Sequence, residues 1–208
     1  MDVPTSFRAE IEPDYFPEAA NDPVFATGSA VNRHSLLSMA LHWGTVIVIL
    51  AGVGAMFLRD TAEERAIRQI LLDVHRQIGL LVLIGVAVRI GARLHTPLVD
   101  RATGMPTLLR GAARASHFVL YAMLIAMPIS GWLLTNAHGI RLSLFGVIPL
   151  PNLMADDSEL ADALSDYHVW LAWALLGFVC LHAFAALWHH FIRRDDVLRA
   201  MCPRWLVR

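Results

Sequence analysis

The last apolar run, Tyr167 to Ile192 (YHVWLAWALLGFVCLHAFAALWHHFI), limits what this chain can fold into more than any other stretch. From Val169 to Trp188 it carries no charge and a single strongly polar side chain, His182. A run of about 20 such residues is enough for a helix to cross a bilayer. His168 stands at the mouth of the run, fourteen residues before His182. On an α-helix that spacing returns to within about 40° of the same face and lies about 21 Å further along the axis. Two imidazoles therefore look the same way from opposite sides of a membrane. An imidazole in hydrocarbon is costly, and a helix that carries one aims it at a partner or a cofactor.

Three further stretches read as spans. Arg33 and Arg59 enclose an uncharged segment that includes LLSMALHWGTVIVILAGVGAMFL, with His42 near its start. The second span, ILLDVHRQIGLLVLIGVAVRIGA, has Asp73, His75 and Arg76 at its entrance and Arg89 near its exit, where charged ends snorkel to the interface. The third runs from about Ser116 to Thr135, and Pro128 is expected to kink it. With 56% hydrophobic residues and 17% charged, the composition agrees with an all-α, polytopic membrane protein, a four-transmembrane-helix bundle over residues 33–208.

The connections are polar. Residues 1–32 are acidic and rich in proline, lack the basic and apolar regions of a secretory signal, and read as a disordered cytoplasmic extension. The segment RDTAEERAIR reads as a compact loop, and the acidic ADDSELADALSD as a short interfacial helix before the fourth span. All 17 basic residues are arginine. Twelve fall in the N-terminal segment, the second connection and the C-terminal tail, against five in the first and third connections. That bias predicts both termini in the cytoplasm.

Topology then sorts the histidines by depth. His42 and His182 lie toward the inner side, and His75 and His168 toward the outer side. Each pair can clasp one iron from both faces, and a haem iron so held suits electron transfer rather than oxygen binding. A lone histidine at a helix end is ordinarily an interfacial hydrogen-bonder; the matching of depths is what raises all four together. A zinc or di-iron site would want four or more ligands at one height, with cysteine or carboxylate among them, and no such cluster is visible. Cys180 and Cys202 form no C-x-x-C-H motif, so any haem is held without thioether bonds. His117, on the third span, reads as a packing residue or a quinone neighbour, because no fifth partner stands at its depth.

These stretches carry a family resemblance. LSMALHWGTV, LLDVHRQIGLLVLIGVAVRI, RASHFVLYAMLIAMPISGWLL and the closing run are similar, over about residues 33–205, to the bacterial cytochrome b561 family. The combination of LHW, VHxxxG and YH with LHAxAALxHH is far more specific than any single histidine. The resemblance implies two non-covalent b-type haems in the bacterial inner membrane, with His42, His75, His168 and His182 as axial ligands. It also implies oxidation of superoxide outside and reduction of ubiquinone inside. This chain differs in its N-terminal extension and in Tyr167, where tryptophan often precedes the outer ligand.

His189 lies seven residues beyond His182 and about 20° off its face. It either hydrogen-bonds a quinone carbonyl or meets phospholipid headgroups; the resemblance favours quinone. Arg76 and its neighbours Arg59, Arg65 and Arg68 either neutralise haem propionates or steer a small anion inward. A rival reading of the whole chain is a membrane-anchor cytochrome b subunit that passes electrons between the quinone pool and a periplasmic redox protein. A third is a structural membrane protein without haem.

Overall fold

The computed structural model describes residues 35–95 and 106–202. The expected disordered extension, residues 1–32, lies outside the described residues. Four long helices follow one another: α1 (Leu36–Thr61), α2 (Arg65–Leu94), α3 (Thr107–Ala137) and α4 (Ser158–Trp188). All four are apolar and long enough to span a bilayer. At 1.5 Å per residue they measure about 39 to 47 Å, which exceeds the roughly 30 Å hydrocarbon core and carries their ends into the headgroup region. The protein is therefore a multi-pass helical membrane protein. Large apolar side chains such as Ile47, Leu50, Phe118, Trp170, Leu181 and Phe184 point outward, an exposure that suits lipid and not water.

Local chemistry sets the helix ends. Ser35 accepts at Oγ from the Ser38 amide and starts α1. The reversal between α1 and α2 needs only residues 62–64, so the segment RDTAEERAIR is mostly helix and not the compact loop read from the sequence. The Asp157 carboxylate caps α4 by accepting from the Leu160 amide at 3.1 Å. With that cap in place, Glu159, Asp162 and Asp166 form the exposed first turns of α4 itself, not a separate interfacial helix. Pro128 sits buried inside α3.

Between α3 and α4 a small antiparallel hairpin, β1 (Ser143–Leu144) with β2 (Ile148–Pro149), pairs Ser143 with Pro149 and Leu144 with Ile148. Its turn puts both Phe145 and Gly146 at positive φ, 53° and 73°, the conformation that matches strand twist. Gln77 of α2 straps it down, donating to the Ser143 carbonyl at 3.0 Å and accepting from the Phe145 amide at 2.8 Å. Asn136 holds the rest of the connection, donating to the Ile140 carbonyl and accepting from the Leu153 amide. This end of the bundle is called the hairpin end below.

At the opposite end α4 passes into a π-helical turn, His189–Arg193, then reverses through Arg194 at φ 54° into the short α5 (Val197–Met201). The Trp43 indole N–H donates to the Met201 carbonyl at 2.9 Å and ties α5 to α1. Midway between the ends, Val86, Leu124 and Leu175 form the buried core of the bundle, flanked by Ile49, Val82, Tyr121 and Val179.

Asn136 is 1% exposed and satisfies two backbone groups that a mutant would leave unpaired. Asn136→Ala is expected to cost about 2–4 kcal/mol, read as a lowered melting temperature in detergent. An unchanged melting temperature would contradict this account of the connection.

Candidate functional site

Helix packing brings the predicted histidines together in the expected pairs. The His75 and His168 ring centroids lie 6.2 Å apart at the hairpin end. Those of His42 and His182 lie 6.4 Å apart at the α5 end. A ligating imidazole nitrogen sits about 2.1 Å from its metal and about 1.2 Å ahead of its ring centre, so two imidazoles on opposite faces of one ion place their centroids about 6.5 Å apart. Both pairs meet that spacing.

The hairpin-end pair is also set in its proton positions. His75 Nδ1 lies 3.0 Å from the Gly52 carbonyl oxygen, which can only accept, so Nδ1 carries the hydrogen. The Ser130 hydroxyl donates to the Met127 carbonyl at 2.8 Å. Its oxygen is then left to accept from His168 Nδ1 at 2.9 Å. In each neutral ring Nε2 is therefore the lone-pair nitrogen, the state a metal ligand needs, and the bonded Nδ1 fixes the ring plane. Glycine makes the approach possible: a Cβ on Gly131 would lie 3.0 Å from His168 Cε1, and one on Gly52 would lie 3.0 Å from Ile78 Cγ2.

Two cavities meet at these histidines. An apolar one of about 360 Å³ is lined by Ile49, Val53, Leu124, Met127 and Trp173 together with His75 and His168. A second, of about 270 Å³, shares both histidines and adds Arg59, Arg76, Trp132 and His138. Chambers of this size and lining take a large, mainly apolar ligand with a charged edge. The donor set, the spacing and the shape all fit a b-type haem.

The α5 end fits in spacing but not in proton placement. Arg89 Nη2 lies 3.1 Å from His42 Nδ1, and a guanidinium only donates, so the neutral His42 ring carries its hydrogen on Nε2. For His42 to ligate, Arg89 must turn away. A third imidazole crowds this end: His117 is 5.3 Å from His182. The sequence reading gave His117 no partner at its depth; the packing of α3 on α4 supplies one. Arg89 also stacks over Tyr121 at 5.4 Å, a residue the sequence reading did not single out.

His189 opens the π-helical turn, a local widening that often accompanies function. Its Nδ1 lies 2.6 Å from Asp195 Oδ2, which also faces Arg193 Nε at 3.5 Å, while Asp195 Oδ1 accepts from the Val197 amide. Arg76 reaches the polar cavity, but its Nη1 is held by Asp73 at 2.7 Å. The sequence reading missed Ser130, Gly131, Gly52 and Asp195. The adjacent small pair Ser130 and Gly131 was the available signal for those two, because small residues in spanning helices let neighbouring groups approach.

Comparison with known proteins shows the family of the chain. The family model described as prokaryotic cytochrome b561 matches residues 33–204. Cytochrome b561 homolog 2 of Escherichia coli (strain K12) is 33% identical over 171 residues, covering 81% of this chain and 90% of its own length. A probable superoxide oxidase CybB of Yersinia pestis is 29% identical over 172 residues, covering 83% and 97%. Cytochrome b561 homolog 1 of Escherichia coli (strain K12) is 29% identical over 177 residues, covering 84% and 99%.

Removing an outer partner of a ligating histidine typically weakens the metal site about 10- to 100-fold. Ser130→Ala is expected to do so for haem at His168, and Gly131→Ala to act in the same direction by displacing the ring. Haem titration of the apoprotein checks both; unchanged affinity in the two variants would refute the orienting role.

Proposed function

The chain belongs to the prokaryotic cytochrome b561 family of transmembrane electron carriers that bind b-type haem, and from that premise we propose a dihaem oxidoreductase that oxidises superoxide at the hairpin end and reduces ubiquinone at the α5 end. The observation that carries this reading is the hairpin-end pair, 6.2 Å apart with both Nδ1 atoms already bonded. Held between two imidazoles, a haem supplies one-electron Fe(III)/Fe(II) chemistry with no coordination position left for oxygen.

His75 and His168 are the ligands of one haem and His42 and His182 of the other, the second pair once Arg89 has moved off His42. The arginine bias puts the hairpin end outside and both termini in the cytoplasm of a bacterial inner membrane. Arg59 and Arg76 line the polar cavity beside His75, and are the positive groups an anion would meet there, while Arg65 and Arg68 follow the turn among Asp60, Glu63 and Glu64, which dilute the field. Each lining arginine is paired with a carboxylate, Arg76 with Asp73 at 2.7 Å and Arg59 with Asp60 at 3.3 Å. Support for superoxide comes from the relative described as a probable superoxide oxidase.

At the α5 end His189 is the candidate proton relay. Asp195 accepts from its Nδ1–H and orients the ring, and when the ring is doubly protonated its Nε2–H can donate to a quinone carbonyl as that oxygen gains charge. Ubiquinone reduction consumes protons as well as electrons, and His189 is the group placed to deliver one.

A second reading keeps the same haem ligands but makes the protein a membrane anchor for a periplasmic redox partner. The exposed apolar tip of the hairpin, with Phe145 62% and Val147 80% accessible, favours it.

Stopped-flow mixing of the oxidised, purified protein with superoxide separates the two. Direct haem reduction, followed by reoxidation with ubiquinone, is expected; haems inert until a partner protein is added would favour the anchor. His189→Ala is expected to slow the quinone half-reaction about 100-fold and leave the superoxide half-reaction unchanged. Equal effects on both would remove His189 from the quinone step.

A further inference from the structure

Arg89 does not run out to the interface as the sequence suggests. It turns inward from α2, with Nη2 3.1 Å from His42 Nδ1 and its guanidinium carbon 5.4 Å over the Tyr121 ring, and its charge reaches His117 and His182 as well. An ionised side chain inside a spanning segment is costly, and it normally faces a counter-ion. Every aspartate and glutamate of the four long helices, Asp60, Asp73, Glu159, Asp162 and Asp166, lies toward the hairpin end. Near the α5 end Asp195 is held by His189 and Arg193, and Asp196 by Arg199. Among the described residues, therefore, no carboxylate neutralises Arg89, and a guanidinium keeps its charge in such surroundings.

The hairpin end is built the other way. Its two cavity arginines are paired, Arg59 with Asp60 and Arg76 with Asp73. Its two imidazoles donate Nδ1–H to the Gly52 carbonyl and the Ser130 hydroxyl, bonds that make the opposite nitrogen a stronger donor to a metal. Electron-rich ligands favour a ferric centre, and an uncompensated positive charge favours a ferrous one.

We propose that Arg89 sets the electron gradient of the protein: its uncompensated charge holds the haem of His42 and His182 at a higher midpoint potential than the haem of His75 and His168. The proposal rests on the haem reading above and gives it a direction. When Arg89 turns off His42 it remains on the same stretch of α2, so the charge stays at this end of the bundle. One electron then passes downhill from the ferrous iron at the hairpin end, which becomes ferric, to the ferric iron at the α5 end, which becomes ferrous, with no bond made and no proton moved. One unit charge at about 10 Å in a protein interior shifts such a one-electron equilibrium about tenfold, or about 59 mV.

The test is an anaerobic redox titration of the full haem-loaded chain in detergent, followed by absorbance and electron paramagnetic resonance. The haem that is absent in His182→Ala is expected to be reduced first, at a higher potential than the haem absent in His168→Ala. Arg89→Gln, neutral and polar, and Arg89→Met, neutral and apolar, are each expected to lower the first potential by about 59 mV, a change of about tenfold, and to leave the second unchanged. Arg93→Gln, one turn further along α2 and exposed, is expected to move neither, because water and salt screen its charge. Equal potentials, a reversed order, no shift in either Arg89 variant, or an equal drop in Arg93→Gln would overturn the proposal. Outright loss of the α5-end haem from both Arg89 variants would overturn it too, because the guanidinium would then be holding the group and not tuning it. Should His182→Ala retain two haems, the underlying haem reading fails instead, and the two failures are told apart.

Discussion

An imidazole placed in hydrocarbon must spend its N–H, and where it spends it decides what the other nitrogen can do. At the hairpin end both rings spend Nδ1 on α-helical neighbours, the Gly52 carbonyl and the Ser130 hydroxyl. Polar contacts between spanning helices are worth only about 1 kcal/mol each, too little to hold the bundle together. Their effect is therefore on orientation: each bond fixes a ring plane and leaves a lone pair on Nε2. The cavities, the glycine approaches and the 6.2 Å spacing all follow from rings held in that state.

One helix carries a histidine toward each end of the bundle. α4 carries His168 and His182 fourteen residues apart, and the antiparallel α1 and α2 bring one partner to each end. Packing of α1 on α2 and α3 on α4, with Val86, Leu124 and Leu175 between, keeps the two ends apart by an apolar core. The ends are not equivalent. The hairpin end has its protons in place, while at the α5 end Arg89, His117 and Tyr121 share the space with His42 and His182.

Much of this was legible in the sequence because hydrocarbon imposes simple rules. Three uncharged stretches and a fourth with charges only toward its ends read as spans, and the helical period placed His168 and His182 on one face. Depth matching then paired them with His75 and His42, as the structure has it. What the sequence concealed depends on tilt and close approach. Ser130 looked like one more small residue, and only the packing of α3 on α4 turns its hydroxyl into a partner of His168. The acidic stretch before the fourth span looked separate because its charge hid the Asp157 cap that makes it continuous with α4. Asp195 lay beyond the apolar run, and nothing linear announces that a π-helical turn folds it back on His189.

The central claim is that two independent bis-imidazole sites stand at opposite ends of the bundle, and electron paramagnetic resonance of the oxidised protein reads it directly. Two distinct low-spin ferric signals are expected, one lost in His168→Ala and the other in His182→Ala, each substitution leaving the remaining signal unchanged. A single signal in the parent protein, or one substitution that abolishes both, would contradict it.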